Sequence, residues 1–297
     1  MKEHICVCIC TYKRPVLLSK ALNYIVNQTT ANRFTFSIVV VDNDLYGSAK
    51  EVVSEIKADL VYDIEPVQNI ALARNKAVKN ASGDFFVFMD DDEFPSDNWL
   101  LNLYLTQQSF QSAGVLGPVK PYYEGTPPKW LISSGICERP DFKTGTILSP
   151  KFTRTGNVLI RSDIFTKGEN LFNPEFGRVG GEDSDFFRRM IGQGYKFVWC
   201  REAIVFESVP QERWKRSFYI KRALLRGRSN SLHDKKLPLD KKTKRVLLSL
   251  VAFLGYSFIS PFAVLSGEKA RMKFIDRYFH HAGRLLTECG IQIVKER

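Results

Sequence analysis

At 297 residues, the chain can form one large domain or two modest ones. Its 44% hydrophobic and 25% charged residues, with 22 Phe and 11 Tyr, exclude a disordered chain, a collagen and a many-span membrane protein. The net charge of +11 is uneven: residues 201–297 hold 21 Lys/Arg against 9 Asp/Glu, while residues 1–200 hold 22 against 23. That excess predicts an appended basic surface facing lipid headgroups, phosphates or nucleic acid.

In chain order, the N-terminus runs straight into ICVCIC (5–10), with no signal peptide expected. This uninterrupted apolar run predicts a parallel strand covered on both faces. Pro15 then opens a helix through Leu18, Leu22 and Ile25. The alternation repeats: FSIVVV (36–41), a helix through Val52 and Val53, LVYDI (60–64), a helix over 70–78, then FFVFM (85–89). Strands alternating with helices predict an α/β, doubly wound, mostly parallel sheet. Between 118 and 156, prolines and aromatics predict long functional loops. Strands return at 155–160 and 196–200, with a helix from about Asp183 to Gly192, and the chain beyond 210 is helical and basic. The six cysteines show neither zinc-ligand spacing nor a secreted disulfide framework, and predict buried thiols in a reducing cytosol.

Ligands of α/β sheets bind beyond the carboxyl ends of the strands. Asp42, Asn43 and Asp44 follow one strand, and Asp90, Asp91 and Asp92 follow another. In a locally extended backbone Asp90 and Asp92 point the same way and Asp91 the opposite way. Two such carboxylates suit Mg²⁺ or Mn²⁺ shared with phosphate oxygens; the alternative is a solvated acidic turn. Gly180-Gly181-Glu182-Asp183 opens a helix, where an acid either caps the dipole or accepts a proton from an incoming hydroxyl.

CTYKRP (10–15), VVDND (40–44), ALARNKAV (71–78), the triple Asp at 90–92 and GGEDSDFF (180–187) stand in an order that closely resembles the family 2 inverting glycosyltransferases. The segments 116–130 and VPQER (209–213) narrow the resemblance to the succinoglycan-biosynthesis glucosyltransferase group. The resemblance implies a GT-A fold over 1–210, with a nucleotide-sugar half to about 117 and an acceptor half over 118–210. It implies a UDP-sugar donor and a lipid-linked saccharide acceptor. Thr11, Tyr12, Arg14, Asp42, Asp44, Arg74, Asp90 and Asp91 would bind the nucleotide-sugar, and Asp92, with Asp90, a divalent cation, Mn²⁺ or Mg²⁺. Asp183 would be the general base and Glu182 would orient acceptor or donor. Trp130, Asn157 and Gly181 would lie on the acceptor side. Where many relatives carry a metal-binding His, this chain has Phe206, so Glu207 is a candidate replacement. A nucleotidyltransferase or a non-catalytic nucleotide-sugar-binding protein is the competing class.

Residues 211–297 are expected to form a basic helical extension that meets an anionic membrane surface, with no nucleic acid as partner. The uncharged run 246–265 is long enough to span a bilayer, yet its serines, glycine and Pro261 interrupt it and basic residues flank both ends. A monotopic hairpin, a single span and a soluble helix pair all remain open. The expected location is the cytoplasmic face of the cell membrane.

Overall fold

The computed structural model describes residues 2–167, 171–178, 180–235, 237–263 and 265–291. Elements follow in the order β1 (Glu3–Thr11), α1 (Pro15–Val26), β2 (Phe34–Asp42), α2 (Lys50–Ser54), β3 (Leu60–Ile64), α3 (Ile70–Asn80), β4 (Phe85–Asp90), β5 (Glu93–Pro95), α4 (Trp99–Phe110), β6 (Gly114–Leu116) and β7 (Val119–Tyr122). They continue with α5 (Lys129–Ser134), β8 (Val158–Arg161), α6 (Glu182–Gly192), β9 (Phe197–Trp199), β10 (Val205–Ser208), α7 (Arg216–Asp234), α8 (Leu239–Ala263) and α9 (Glu268–Glu288).

The chain packs as two units: Met1–Tyr122 with Arg139–Gly177 and Glu182–Ser208, and Tyr123–Glu138 with Arg178–Gly181 and Val209–Arg297. In the first unit, seven strands run in the order β3-β2-β1-β4-β8-β6-β9. Strands β3, β2, β1 and β4 are mutually parallel; β8 is antiparallel to both β4 and β6, and makes the sheet mixed. A second sheet pairs β10 with β5 antiparallel and with β7 parallel.

Strand β1 shows why the apolar run is needed. Ile5, Val7 and Ile9 enter one core layer with Leu18, Leu22 and Ile25 of α1, while Cys6 and Cys8 enter the opposite layer with Ala71, Ala73 and Ala77 of α3. The small face of α3 lets that helix lie close on β1 and β2. Each fully buried aliphatic side chain contributes about 1.5–3 kcal/mol. The described cysteines are all free, and burial pushes the Cys10 thiol up to about 12.

In the second unit, Leu131 of α5, Tyr219 of α7 and Met272 of α9 form a small core with Tyr123, Trp130 and Trp214 around it. The segment 123–138, expected within the acceptor half, therefore packs with the C-terminal helices, because its aromatics find their apolar partners there. Helix α8 continues through Pro261 rather than stopping before it.

Candidate functional site

Register places the site. Thr11 at the end of β1 lies opposite Asp42 of β2, and Cys10 lies opposite Asp90 of β4, so three parallel strands deliver their last polar residues to one edge. At Asp91 and Asp92 the chain turns before β5 begins. That turn corrects the expectation that Asp90 and Asp92 form the same-facing pair. Asp91 Oδ2 accepts from the Thr11 hydroxyl at 2.8 Å, and Arg14 Nη1 donates to Asp91 Oδ1 at 2.9 Å and Asp92 Oδ2 at 3.4 Å. Burial raises Asp91 above the usual carboxylate range, and Arg14 and Thr11 oppose that rise.

Asp90 goes the other way, towards Arg74 of α3. Asn69 caps that helix by accepting from the amides of Ala71 and Leu72, and its own amide donates to Asn43 Oδ1 at 2.8 Å. The anchored first turn presents Arg74, whose Nη1 donates to Glu182 Oε1 and whose Nη2 donates to Asp90 Oδ1 at 3.4 Å. Burial opposes the charge on Arg74, but the Glu182 and Asp90 carboxylates outweigh it and raise the guanidinium above its ordinary value. Burial raises Glu182, with Arg74 opposing, and its Oε2 has no hydrogen-bond partner. Asp183, half-buried in the first turn of α6, accepts from the Ser184 amide at 2.6 Å.

Several expected residues play other parts. Asp42 has 0% exposure; its carboxylate accepts from the Ala49 amide at 2.7 Å, the Asp44 amide at 3.1 Å and the Tyr62 hydroxyl at 3.1 Å. It organises the loop after β2 and in this conformation offers no exposed oxygen to a base. Tyr12, Lys13 and Arg14 are exposed in the β1–α1 loop, and Lys13 Nζ lies 4.0 Å from the buried Asp44. Asn157 also has 0% exposure. It accepts from Trp99 Nε1 at 2.7 Å and donates to the carbonyls of Pro118 and Ala203 at 3.0 and 2.7 Å. Its side-chain oxygen and nitrogen both bond inside the protein, a structural role rather than the expected acceptor-side one. Trp130 and Gly181 belong to the second unit. There Trp130 packs edge-on to Tyr219, with the Arg216 guanidinium 4.8 Å from its ring centroid. Gly181, at φ +104°, lies where any Cβ would collide with Ser229 Oγ, and Gly180 O accepts from that hydroxyl at 2.6 Å.

Glu207 is not a free replacement for a metal-binding His, because Arg139 donates to its carboxylate. Phe206 stacks on Phe94 at 5.5 Å, beside the Lys20 ammonium 4.3 Å from the Phe94 ring centroid. Among the described residues, no three His, Cys, Asp or Glu come together as a metal-binding group. Asp90, Asp92 and Glu207 are each paired with an arginine, Arg74, Arg14 and Arg139 respectively. Asp90 and Asp92 still fit a hard cation, because Mg²⁺ is commonly held by one or two carboxylates and completed by substrate phosphates.

The structure adds residues that the sequence reading missed. Glu93 is buried opposite Glu207, with Oε2 accepting from the Asp90 amide at 3.2 Å and Oε1 unpartnered. Burial and the neighbouring Asp90 raise it well above the carboxylate range. A Cβ at Gly156 would stand 2.8 Å from Glu93 Oε1 and 3.2 Å from Asp90 Oδ2, so the missing side chain keeps that space open. Burial and the adjacent Arg139 bring Arg154 down to about 10, with the charges of Asp183, Glu93 and Glu207 opposing. Glu93 extends the Asp run by one residue; Arg139 and Arg154 lie in loops without a local signal.

The α/β core gathers carboxylates and arginines at the carboxyl ends of β1, β2 and β4, and its fold is of the GT-A class. The family model described as "Glycosyl transferase family 2" matches residues 6–167. The chain is 33% identical to the succinoglycan biosynthesis protein ExoM of Rhizobium meliloti (strain 1021), over 99% of this chain and 95% of that protein. The chain belongs to glycosyltransferase family 2. The hyaluronan synthase of Pasteurella multocida is 25% identical over 69% of this chain and 24% of its own length. Among solved structures, S. aureus TarS 1-349 in complex with UDP-GlcNAc superposes with a TM-score of 0.56 at 17% identity, covering 99% of this chain and 93% of that one. GalNAc-T7 with UDP, GalNAc and Mn²⁺ gives 0.55 at 13% identity, over 75% of this chain and 51% of that chain.

Proposed function

We propose that this glycosyltransferase moves a hexose, with glucose the first donor to test, from a UDP-sugar to a hydroxyl of a lipid-linked saccharide, inverting the anomeric centre. The reaction would serve cell-surface polysaccharide assembly at the cytoplasmic face of the membrane. The observation that carries this reading is the Arg74 bridge between Asp90 and Glu182, adjacent in sequence to Asp183. Near full-length similarity to a succinoglycan biosynthesis protein supports the polysaccharide context. The UDP and UDP-GlcNAc complexes of TarS support the donor class.

In this mechanism Tyr12, Arg14 and Asp44 line the nucleotide, and Thr11 and Asp91 hold the loop that carries them. Asp90, Asp92 and Arg74 face the ribose and diphosphate. Asp183 takes the proton from the acceptor hydroxyl as its oxygen bonds to the anomeric carbon. The bond from that carbon to the UDP oxygen breaks with its electron pair on UDP. Glu182, fixed by Arg74, orients the sugars. A divalent cation held by Asp90 and Asp92 would offset the charge of the departing diphosphate. The basic C-terminal helices meet the anionic membrane that carries the acceptor.

The test is a panel of UDP-sugars with purified protein and a lipid-linked saccharide fraction, scoring UDP release and product linkage. Transfer that needs acceptor and yields UDP supports the reading. Consumption of the UDP-sugar only when pyrophosphate is added, giving UTP and sugar 1-phosphate, would assign nucleotidyl transfer instead. UDP-sugar binding without turnover under any acceptor would assign a binding protein.

A further inference from the structure

Helix α8 has two unlike faces. Leu247, Leu248, Val251, Leu254, Phe258 and Phe262 are exposed along one stripe. The opposite face carries the buried Ser249 with Phe253 and Tyr256. Phe253 stacks on Tyr278 of α9 at 4.9 Å, Tyr256 meets Phe274 at 5.4 Å, and Arg277 Nη1 donates to the Tyr256 hydroxyl at 3.4 Å. Helix α9 is charged along its length, and its Asp276 is bound by Arg226 of α7 at 2.6 Å.

The helix is long and apolar enough to cross a bilayer, by length and composition. Crossing it as packed here would take Arg277, Asp276, His280 and His281 into hydrocarbon along with α8, and charges there are costly. Crossing alone would strip α8 of its aromatic contacts with α9. Lying flat needs neither. Lys241 and Lys244, exposed in the first turns, lie on the same stripe two turns and one turn before Leu248. Lys269 is exposed just beyond the other end. An apolar stripe with basic ends matches the acyl boundary and headgroups of an anionic leaflet.

We infer that α8 lies in the plane of an anionic lipid surface, with its Leu247–Phe262 stripe in the acyl boundary and α9 as its water-facing cover. This rests on the membrane-surface part of the function proposed above and adds the orientation. Full-length protein is floated with phosphatidylcholine vesicles and with vesicles that also contain phosphatidylglycerol. The expected result is binding that needs the anionic lipid and weakens in salt, because headgroup attraction is screened. Val251→Glu and Phe258→Glu should each weaken it by about tenfold or more while leaving UDP affinity and melting temperature near the parent values.

Orientation is read without altering the apolar residues of the stripe. Lys244→Cys and Ser266→Cys, each placed singly in a Cys289→Ser background, are probed by a membrane-impermeant maleimide on sealed vesicles. Both ends labelled from the same side support the in-plane helix; ends labelled from opposite sides overturn it in favour of a span. Failure to float, or a detergent-free dimer whose stripe is protected by its partner, overturns the lipid surface. Donor binding is measured on the same samples, so its loss would count against the transferase reading and not against the orientation.

Discussion

Replacing Arg74 with Met removes the cation between two carboxylates while keeping a long side chain against α3. Arg74 and Glu182 are both nearly desolvated, each with 8% side-chain exposure, so water cannot fully take over the lost partner. Breaking such a buried pair from one side costs about 3–5 kcal/mol. The second arm, to an Asp90 side chain with 47% exposure, adds at most about 1 kcal/mol. For a domain of this size that corresponds to a melting-temperature loss of about 6–24 °C. The penalty belongs to an uncompensated Glu182, so Arg74→Met/Glu182→Leu should recover most of the stability and none of the transfer activity. The sign of the pH dependence follows. Burial already raises Glu182, and loss of Arg74 raises it further, so protonation at lower pH should shrink the deficit of the single variant. Calorimetric melting of the parent, the single and the double variant across pH tests this. A double variant no more stable than Arg74→Met, or a deficit that does not change with pH, would refute the bridge as the source of the loss.

Asp183→Asn should lower transfer about 10²–10⁴-fold with UDP-sugar affinity nearly unchanged, measured by initial rates and calorimetry; near-normal transfer would make Asp183 a helix cap, since Asn caps about equally well. Asn157→Ala should cost roughly 3–5 kcal/mol, because it deletes three buried hydrogen bonds and strands the Trp99 indole, and denaturant unfolding would register it. Glu93 binds its proton more tightly folded than unfolded, so its contribution is full at low pH and lost as pH rises through the raised value. Glu93→Gln should therefore melt above the parent at about pH 8, with the gap closing towards about pH 4. Phe206→His should not strengthen the cation dependence of UDP binding over the parent, because position 206 faces the Phe94 ring while Glu207 on the other side of the strand is held by Arg139; titration with Mn²⁺ checks it.

How far the sequence carried the reading depended on whether a residue's role was local. The parallel core was legible because β1, β2 and β4 are short apolar runs ending in polar residues, and burial on both faces requires that pattern. The helix starts at Pro15 and Glu182 were legible for equally local reasons. Strand β10 was not, since VFES is too short and too polar for periodicity to mark, and it exists because β5 and β7 pair with it from distant parts of the chain. The same limit governs the site. Strand alternation assumed that the backbone stays extended through Asp92, whereas the chain turns there because Thr11 and Arg14, about 80 residues earlier, draw Asp91 and Asp92 together. Asn157 read as an acceptor residue because a polar side chain before a strand is ambiguous until its partners are known. Trp99 and the carbonyls of Pro118 and Ala203 reach it from three separate segments. Arg74 was legible by motif, but its work was not: a single guanidinium spans the β4 carboxylate and the α6 carboxylate, and so joins the carboxyl edge of the sheet to the residue beside the proposed base. What pattern can name is the residue type a chemistry needs; which carboxylate that residue finally meets is decided by tertiary pairing.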